Sequence, residues 1–134
     1  MIRRLTWEDR EWAQELCRLG YPQDYFNPEA SENWLRPLLD HSSVLALRSD
    51  KAIWITALTR YPFNPALRYA MTFAIVSVGE NPFTLVKMAR QSVEWAKAQG
   101  AVDYIFETMT GVDLGPIARR LGAKPASPAY KLEF

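Results

Sequence analysis

One helical pattern in the second half of the chain stands directly between two strand patterns, and few folds accommodate this order. Apolar residues at every third or fourth position predict a helix over 82–99, with Asn81 as its N-cap and Gly100 just past its end. The flanking runs 68–76 and 102–107 are rich in aromatic and β-branched residues. Because the strands of such a strand–helix–strand unit normally run parallel, the sheet is predicted to contain one parallel pair.

The strands before this unit are predicted to be antiparallel. The apolar runs 43–48 and 52–58 flank the turn 49–51, which is the pattern of a hairpin. Both alternating faces of 52–58 are apolar, and this indicates a central strand covered by helices on both sides. The prolines within 61–67 predict an irregular connection into the strand 68–76, which completes a three-strand meander.

Two helices are expected before the hairpin, after a short edge strand at the N-terminus. Thr6 and Asp9 have the spacing of a variant capping box at the start of the first helix. Asn27 and Pro28 predict the N-cap and first position of the second helix. Pro37 is expected to end or kink that helix.

A short helix and a last strand complete the predicted order. Asp113 can cap a helix that ends at Leu121, with Gly122 beyond it, and the final strand is predicted over 129–134. The fold class is therefore α/β (α+β): a mixed, mostly antiparallel sheet flanked by helices on both faces.

The composition favours a single domain over residues 1–134. A chain of 134 residues that is 49% hydrophobic can bury a core of its own, whereas two domains would each be marginal. Sixteen basic and 15 acidic side chains give a net charge of +1, which argues against nucleic acid and anionic membranes as partners. Cys17 and His41 are the only residues of their types, so no metal site is expected. Cys17 follows an apolar stripe and is expected to be buried.

This order of elements resembles the GCN5-related N-acetyltransferase (GNAT) superfamily over nearly the whole chain. The segment 117–123, IARRLGA, followed by the tripeptide YKL at 130–132, is similar to the superfamily's C-terminal pattern. The resemblance implies a GNAT fold and an acyl-CoA-dependent N-acyltransferase that uses acetyl-CoA. It also places the pantetheine arm of the donor along the backbone of Phe73, Ala74 and Ile75, where the fourth and fifth strands splay apart.

The phosphate-binding loop of the superfamily is altered in this chain. Active members carry glycines there, whose backbone N–H groups bind the CoA pyrophosphate at a helix N-terminus. The matching residues 79–85 read GENPFTL, with Glu80 on the basic or polar position and Phe83 on the first glycine. Asn81, Phe83 and Thr84 are the remaining candidate contacts. Because the Phe83 ring obstructs the loop and Glu80 repels phosphate, we expect weak binding of acetyl-CoA in the usual mode.

The catalytic residues implied by the resemblance are also largely missing. Many members carry a tyrosine in the short C-terminal helix that protonates the leaving thiolate, and Ala118 occupies that position here. The superfamily's upstream asparagine corresponds to the neighbourhood of Gly111. Glu107 is the remaining candidate for a base toward an amine, although a carboxylate at a strand end is more often a solvated terminus. The sequence leaves open whether the chain is an enzyme.

Two functions fit these residues. One is a divergent N-acyltransferase, and the other is a non-catalytic GNAT-like interaction or assembly protein, similar to small virion proteins of some tailed phages. Loop aromatics could line a substrate groove or contact a protein partner; they are Tyr21, Tyr25, Phe26, Tyr61 and Phe63. With no apolar signal core or membrane-spanning run, we expect a cytoplasmic protein, or a virion component if a phage encodes it. The sequence predicts no oligomeric state.

Overall fold

The computed structural model describes residues 1–21, 25–107, 113–126 and 132–134. After a first strand, a 3-10 turn (Trp7–Asp9) leads into the first helix. The elements are β1 (Arg3–Arg4), α1 (Arg10–Gly20), α2 (Pro28–Leu39), β2 (Val44–Arg48), β3 (Ala52–Tyr61), β4 (Asn64–Ser77), α3 (Pro82–Ala98), β5 (Ala101–Ile105) and α4 (Gly115–Arg120).

Within the described ranges, five strands form one sheet in the order β1-β2-β3-β4-β5. The pairs are antiparallel except β4 and β5, which run parallel on either side of α3. This arrangement confirms the predicted mixed, mostly antiparallel α/β fold and the strand–helix–strand unit.

Both faces of the sheet carry a buried core. Ile53 and Ile55 of β3 pack in a cluster with residues of α1 and α2 on one face. Trp54, between them in sequence, packs in a second cluster with Met88 and Ala89 of α3. Because successive side chains of a strand point to opposite faces, β3 is covered on both sides, as its two apolar faces predicted.

The start of α1 is tied to the sheet by a buried carboxylate. Asp9 accepts a hydrogen bond from the Thr6 N–H (2.9 Å), so the capping box is confirmed. Asp9 also accepts hydrogen bonds from Arg3 Nη1 (2.8 Å) and Arg48 Nη1 (3.1 Å). The hydrogen bond from Arg3 is the largest cause of a pKa far below the usual range for Asp9.

The helix α2 does not end at Pro37 but continues to Leu39. A proline in a helix leaves the carbonyl of the residue four positions earlier without an N–H donor. That carbonyl belongs to Asn33, which is exposed, so water can replace the lost donor. Of the two predicted effects of Pro37, an end or a kink of the helix, the structure excludes the end.

The strand β4 begins at Asn64, earlier than the predicted start at Arg68. Tyr61 pairs with Asn64 across a two-residue loop, and the register then shifts so that the next pair is Arg60 with Arg68. Residues 65–67 consequently lie outside the regular pairing, and the missing N–H of Pro65 removes no ladder hydrogen bond. The predicted irregular connection is a hairpin with an irregularity on its second strand.

The C-terminal elements differ from prediction at their ends. The strand β5 covers Ala101–Ile105 and stops before Glu107. The helix α4 begins at Gly115, whose N–H donates to Asp113 Oδ1 (2.9 Å), so Asp113 acts two residues before the helix rather than as its N-cap. Residues 129–131 of the predicted final strand, and Gly111, lie outside the described residues.

Candidate functional site

The strands β4 and β5 separate part-way along their length. Their last parallel pair is Met71 with Ile105, whereas β4 continues to Ser77. Among the described residues, only β3 pairs with β4 beyond Met71. The backbone of residues 73–75 therefore lies at the separation, which is where the resemblance implies the pantetheine arm.

A β-bulge interrupts β4 at the same point. The register between β3 and β4 shifts between Ile55 and Thr56, and Phe73 is the extra residue on β4. The Phe73 ring is 49% exposed and stacks on Trp34 of α2, with ring centroids 5.8 Å apart and an interplanar angle of 21°. Bulges of this kind redirect side chains and are frequent beside active sites.

A buried hydroxyl group fixes the end of β5 against β4. Thr72, which is 2% exposed, accepts a hydrogen bond from the Glu107 N–H (2.8 Å) and donates one to the Glu107 carbonyl. The Glu107 residue itself is exposed. The candidate base thus has an anchored backbone at the strand separation and a carboxylate that solvent can reach.

The N-terminus of α3 uses its own side chains to satisfy backbone donors. Asn81 Oδ1 accepts from the Phe83 N–H (2.9 Å), and Glu80 Oε1 accepts from the Asn81 N–H (2.8 Å). Glu80 Oε2 also accepts from Ser49 Oγ (2.5 Å) and from the Lys51 N–H (3.0 Å) in the β2–β3 turn. The hydrogen bond from Ser49, then those from the backbone, hold the pKa of Glu80 below its usual value. An ionised carboxylate therefore lies beside the N-terminus of α3, at the place where the resemblance implies a phosphate.

A cation approaches the same loop from α4. The Phe83 ring is 64% exposed, and the guanidinium carbon of Arg120 lies 5.7 Å from its centroid. Thr84, the other candidate contact, is half-buried. Arg120 belongs to the segment IARRLGA, but the sequence did not identify Phe83 as its partner.

A polar network that the sequence did not indicate joins β3 and β5. The Tyr104 hydroxyl accepts a hydrogen bond from Trp54 Nε1 (3.0 Å) and shares another with Thr56 Oγ1 (2.7 Å). Burial raises the pKa of Tyr104. These hydrogen bonds hold the Tyr104 hydroxyl, and Tyr104 lines a second cavity together with Ala118.

The five loop aromatics form two groups rather than one surface. Tyr21, Tyr25 and Phe26 line a cavity of about 290 Å³ between α1, α2 and the sheet. Tyr61 and Phe63 lie at the β3–β4 hairpin, where Phe63 is fully exposed and the Tyr61 hydroxyl donates to Asp103 Oδ2 (2.5 Å).

In the described ranges, no group of three or more His, Cys, Asp or Glu side chains could hold a metal ion. No helix in the same ranges is long and apolar enough to cross a membrane.

Of the comparisons with known proteins, only the one with solved structures found similar proteins. No protein-family model matches the sequence, and no curated protein matches it. An aminoglycoside 6'-N-acetyltransferase from Acinetobacter haemolyticus is 14% identical, with a TM-score of 0.76 over 100% of this chain and 97% of that chain. A GNAT family acetyltransferase from Staphylococcus aureus is 14% identical, with a TM-score of 0.70 over 100% and 98% of the two chains. A transcriptional regulator from Bacillus halodurans is 13% identical, with a TM-score of 0.82 over 100% and 99%.

These likenesses show that the chain has the GNAT acetyltransferase fold, as the order of its elements predicted. One similar structure, a predicted acetyltransferase from Clostridium acetobutylicum, contains acetyl-CoA and is 12% identical with a TM-score of 0.75, over 99% of this chain and 95% of that chain.

Proposed function

We propose that the chain is a divergent N-acyltransferase that holds its acyl-CoA donor mainly through the pantetheine arm. The observation that carries this proposal is the open backbone of β4 beyond Met71, beside the bulge at Phe73. An extended amide-containing arm can hydrogen-bond to an unpaired strand edge in the manner of an added strand.

The residues at the α3 N-terminus do not fit a pyrophosphate. The N–H groups of Asn81 and Phe83 already donate to Glu80 and Asn81 side chains. Hydrogen bonds to charged groups contribute about 1.5–3 kcal/mol each, whereas a helix dipole contributes only about 0.3–1 kcal/mol. The dipole therefore does not compensate for the occupied donors, and the negative charge of Glu80 adds repulsion.

Glu107 is the proposed base for the transfer. Its carboxylate would take a proton from an amine as the amine nitrogen bonds to the acyl carbon and the carbon–sulfur bond breaks. Ala118 has no acidic proton, so the leaving sulfur takes its proton from water. The absence of an acid at this position predicts slow turnover.

Calorimetric titration with acetyl-CoA and with S-acetyl-pantetheine tests the proposal. The second compound keeps the thioester and the arm but lacks the phosphates and the nucleotide. We expect acetyl-CoA to bind about tenfold more weakly than S-acetyl-pantetheine, because hydrogen bonds to the phosphates are not made and the Glu80 carboxylate repels them. Acetyl-CoA binding more than tenfold tighter would contradict the pantetheine mode, and binding of neither compound would exclude the donor altogether.

A second candidate is a non-catalytic interaction or assembly protein, including a phage virion component. The fully exposed Phe63 at the tip of the β3–β4 hairpin favours it, because an exposed aromatic residue on a rigid hairpin is a suitable interface anchor. The variant Phe63→Ser would then abolish stoichiometric association with the native complex or particle without lowering the melting temperature. Retained association would exclude Phe63 as the anchor.

A further inference from the structure

A cavity lies on the face of the sheet opposite α3 and separate from the loop at 79–85. Its floor is formed by Ile53 and Ile55 of β3 and by Ala74 and Val76 of β4, and α1 and α2 form its walls. We propose that this cavity, called the α1–α2 cavity below, binds the hydrocarbon part of a small uncharged ligand. The proposal does not depend on whether the chain binds acyl-CoA.

The described residues that line the α1–α2 cavity carry no charged side chain. No Asp, Glu, Lys, Arg or His side chain of the described residues is among those that line it. Burial raises the pKa of the Cys17 thiol to about 11 and that of the Tyr21 hydroxyl to about 12, so both are neutral at pH 7. A charged group in this cavity would lose its hydration without gaining a counter-ion, which favours an uncharged occupant.

Two polar side chains of the lining already have hydrogen-bond partners within the protein. Gln14 Nε2 donates to Glu32 Oε2 (3.3 Å), and Asn27 Oδ1 accepts from the Ala30 N–H as the cap of α2 (3.0 Å). These two groups are engaged with the protein itself. The surface that remains is dominated by aliphatic and aromatic carbon, which matches a hydrocarbon rather than a sugar or a nucleotide.

The size of the α1–α2 cavity limits the occupant. Its volume of about 290 Å³ is roughly twice that of the engineered 150 Å³ apolar cavity that holds benzene, so about 12 carbon atoms is the upper limit. An unfilled apolar cavity destabilises a protein in proportion to its volume. A ligand with about six to ten carbon atoms would fill from half to most of this volume. Such a ligand would therefore also stabilise the fold.

A route from solvent to the α1–α2 cavity exists at the aromatic residues of its lining. Tyr25 is 78% exposed and Trp34 is 41% exposed, and both line the cavity. Trp34 also stacks on Phe73 at the bulge of β4. A ligand can therefore enter between the helices and the sheet at this place.

Titration with a series of 1-alkanols from butanol to decanol, below their solubility limits, tests this inference. We expect the affinity to rise about fourfold for each added methylene group until the cavity is full. Alkylammonium and alkylcarboxylate ions of equal length should bind at least tenfold more weakly. No binding, an affinity that does not change with chain length, or equal affinity for the ions would overturn the proposal.

Two variants that fill the α1–α2 cavity provide an independent measurement. Ala74→Leu adds volume from the sheet, and Ser31→Leu adds it from α2; both positions line the cavity. Ala98→Leu, at the exposed end of α3, is the matched control. Each variant that retains the wild-type circular dichroism spectrum should bind 1-octanol at least tenfold more weakly, and the control should bind it normally. Folded filling variants with unchanged affinity would overturn the proposal.

Discussion

Replacing Glu80 with glutamine should restore part of the phosphate affinity that this loop lacks. The change keeps an oxygen near Ser49 and Lys51 but removes the charge that now accepts the Asn81 N–H. A phosphate about 6 Å from the carboxylate is repelled by about 0.7 kcal/mol at the dielectric constant of water and by about 3 kcal/mol at an effective value of 20. We take an intermediate repulsion of about 1.5 kcal/mol, so removing the charge corresponds to roughly tenfold tighter binding of the phosphate-bearing ligand.

The assay compares two ligands against two variants by calorimetric titration. Glu80→Gln should bind acetyl-CoA about tenfold more tightly than wild type and should bind S-acetyl-pantetheine unchanged, because that compound has no phosphate. Glu94→Gln, on the exposed face of α3, is the control for a lost negative charge. The gain should shrink at high salt, since exposed charges are screened.

Several results would refute this reasoning. A ratio of acetyl-CoA to S-acetyl-pantetheine affinity that stays constant in Glu80→Gln would mean that the carboxylate does not oppose phosphate binding. An equal gain in Glu94→Gln would attribute the effect to net charge rather than to the position of Glu80. Equal gains for both ligands would indicate a rearrangement of the strand separation.

Three further changes test the contacts around the site. In urea unfolding at pH 7, Asp9→Asn should lower the free energy of unfolding by about 2 kcal/mol, because charge-assisted hydrogen bonds are lost. Folding lowers the pKa of Asp9, so this difference should persist above the pKa of the unfolded state, about 3.9, and shrink as the pH falls below it. Thr72→Val should cost about 2 kcal/mol, because it leaves the N–H and carbonyl of Glu107 without their shared partner. Tyr104→Phe should cost about 1.5 kcal/mol, because the buried Trp54 N–H loses its acceptor.

Matched controls separate these effects from general damage. Glu8→Gln removes a neighbouring carboxylate that makes no ion pair with Arg3 or Arg48 and affects Arg3 only as a weaker, more distant charge, so it should leave the unfolding free energy within about 0.5 kcal/mol. Thr72→Ser keeps the hydroxyl and should retain most of the wild-type stability. A stability difference for Asp9→Asn that stays constant from pH 7 to pH 2 would contradict the role assigned to its ionisation.

The sequence predicted those features whose causes are local. Asn81 caps α3 and Gly100 follows its end with a φ of 83°, because cap geometry depends on adjacent residues. Pro37 does not end its helix and Pro65 lies within β4. Every proline lacks an N–H, but the consequence depends on whether a hydrogen bond from that N–H is needed at that place. For Pro65 this is decided by the register of β3 against β4, which a single segment does not contain.

The features of the candidate site also differ in whether the sequence could predict them. The loss of the loop glycines was readable directly from residues 79–85. Two sets of hydrogen bonds join segments about 30 residues apart or more: those to Glu80 from the β2–β3 turn and those between Thr72 and Glu107. The bulge at Phe73 depends on the register of β4 against β3. Such contacts follow from tertiary packing and leave no periodic signal in the sequence.

The carboxylate of Glu80 behaves as a tethered competitor of any anion that approaches α3. Covalently linked groups with short connections act at effective concentrations of about a millimolar or more. Because Glu80 adjoins the N–H that it occupies, a free phosphate group must exceed that internal concentration before it displaces the carboxylate. Cellular anions at lower concentrations would leave the end of the helix closed, and the β2–β3 turn, which Ser49 and Lys51 join to Glu80, would remain attached to α3.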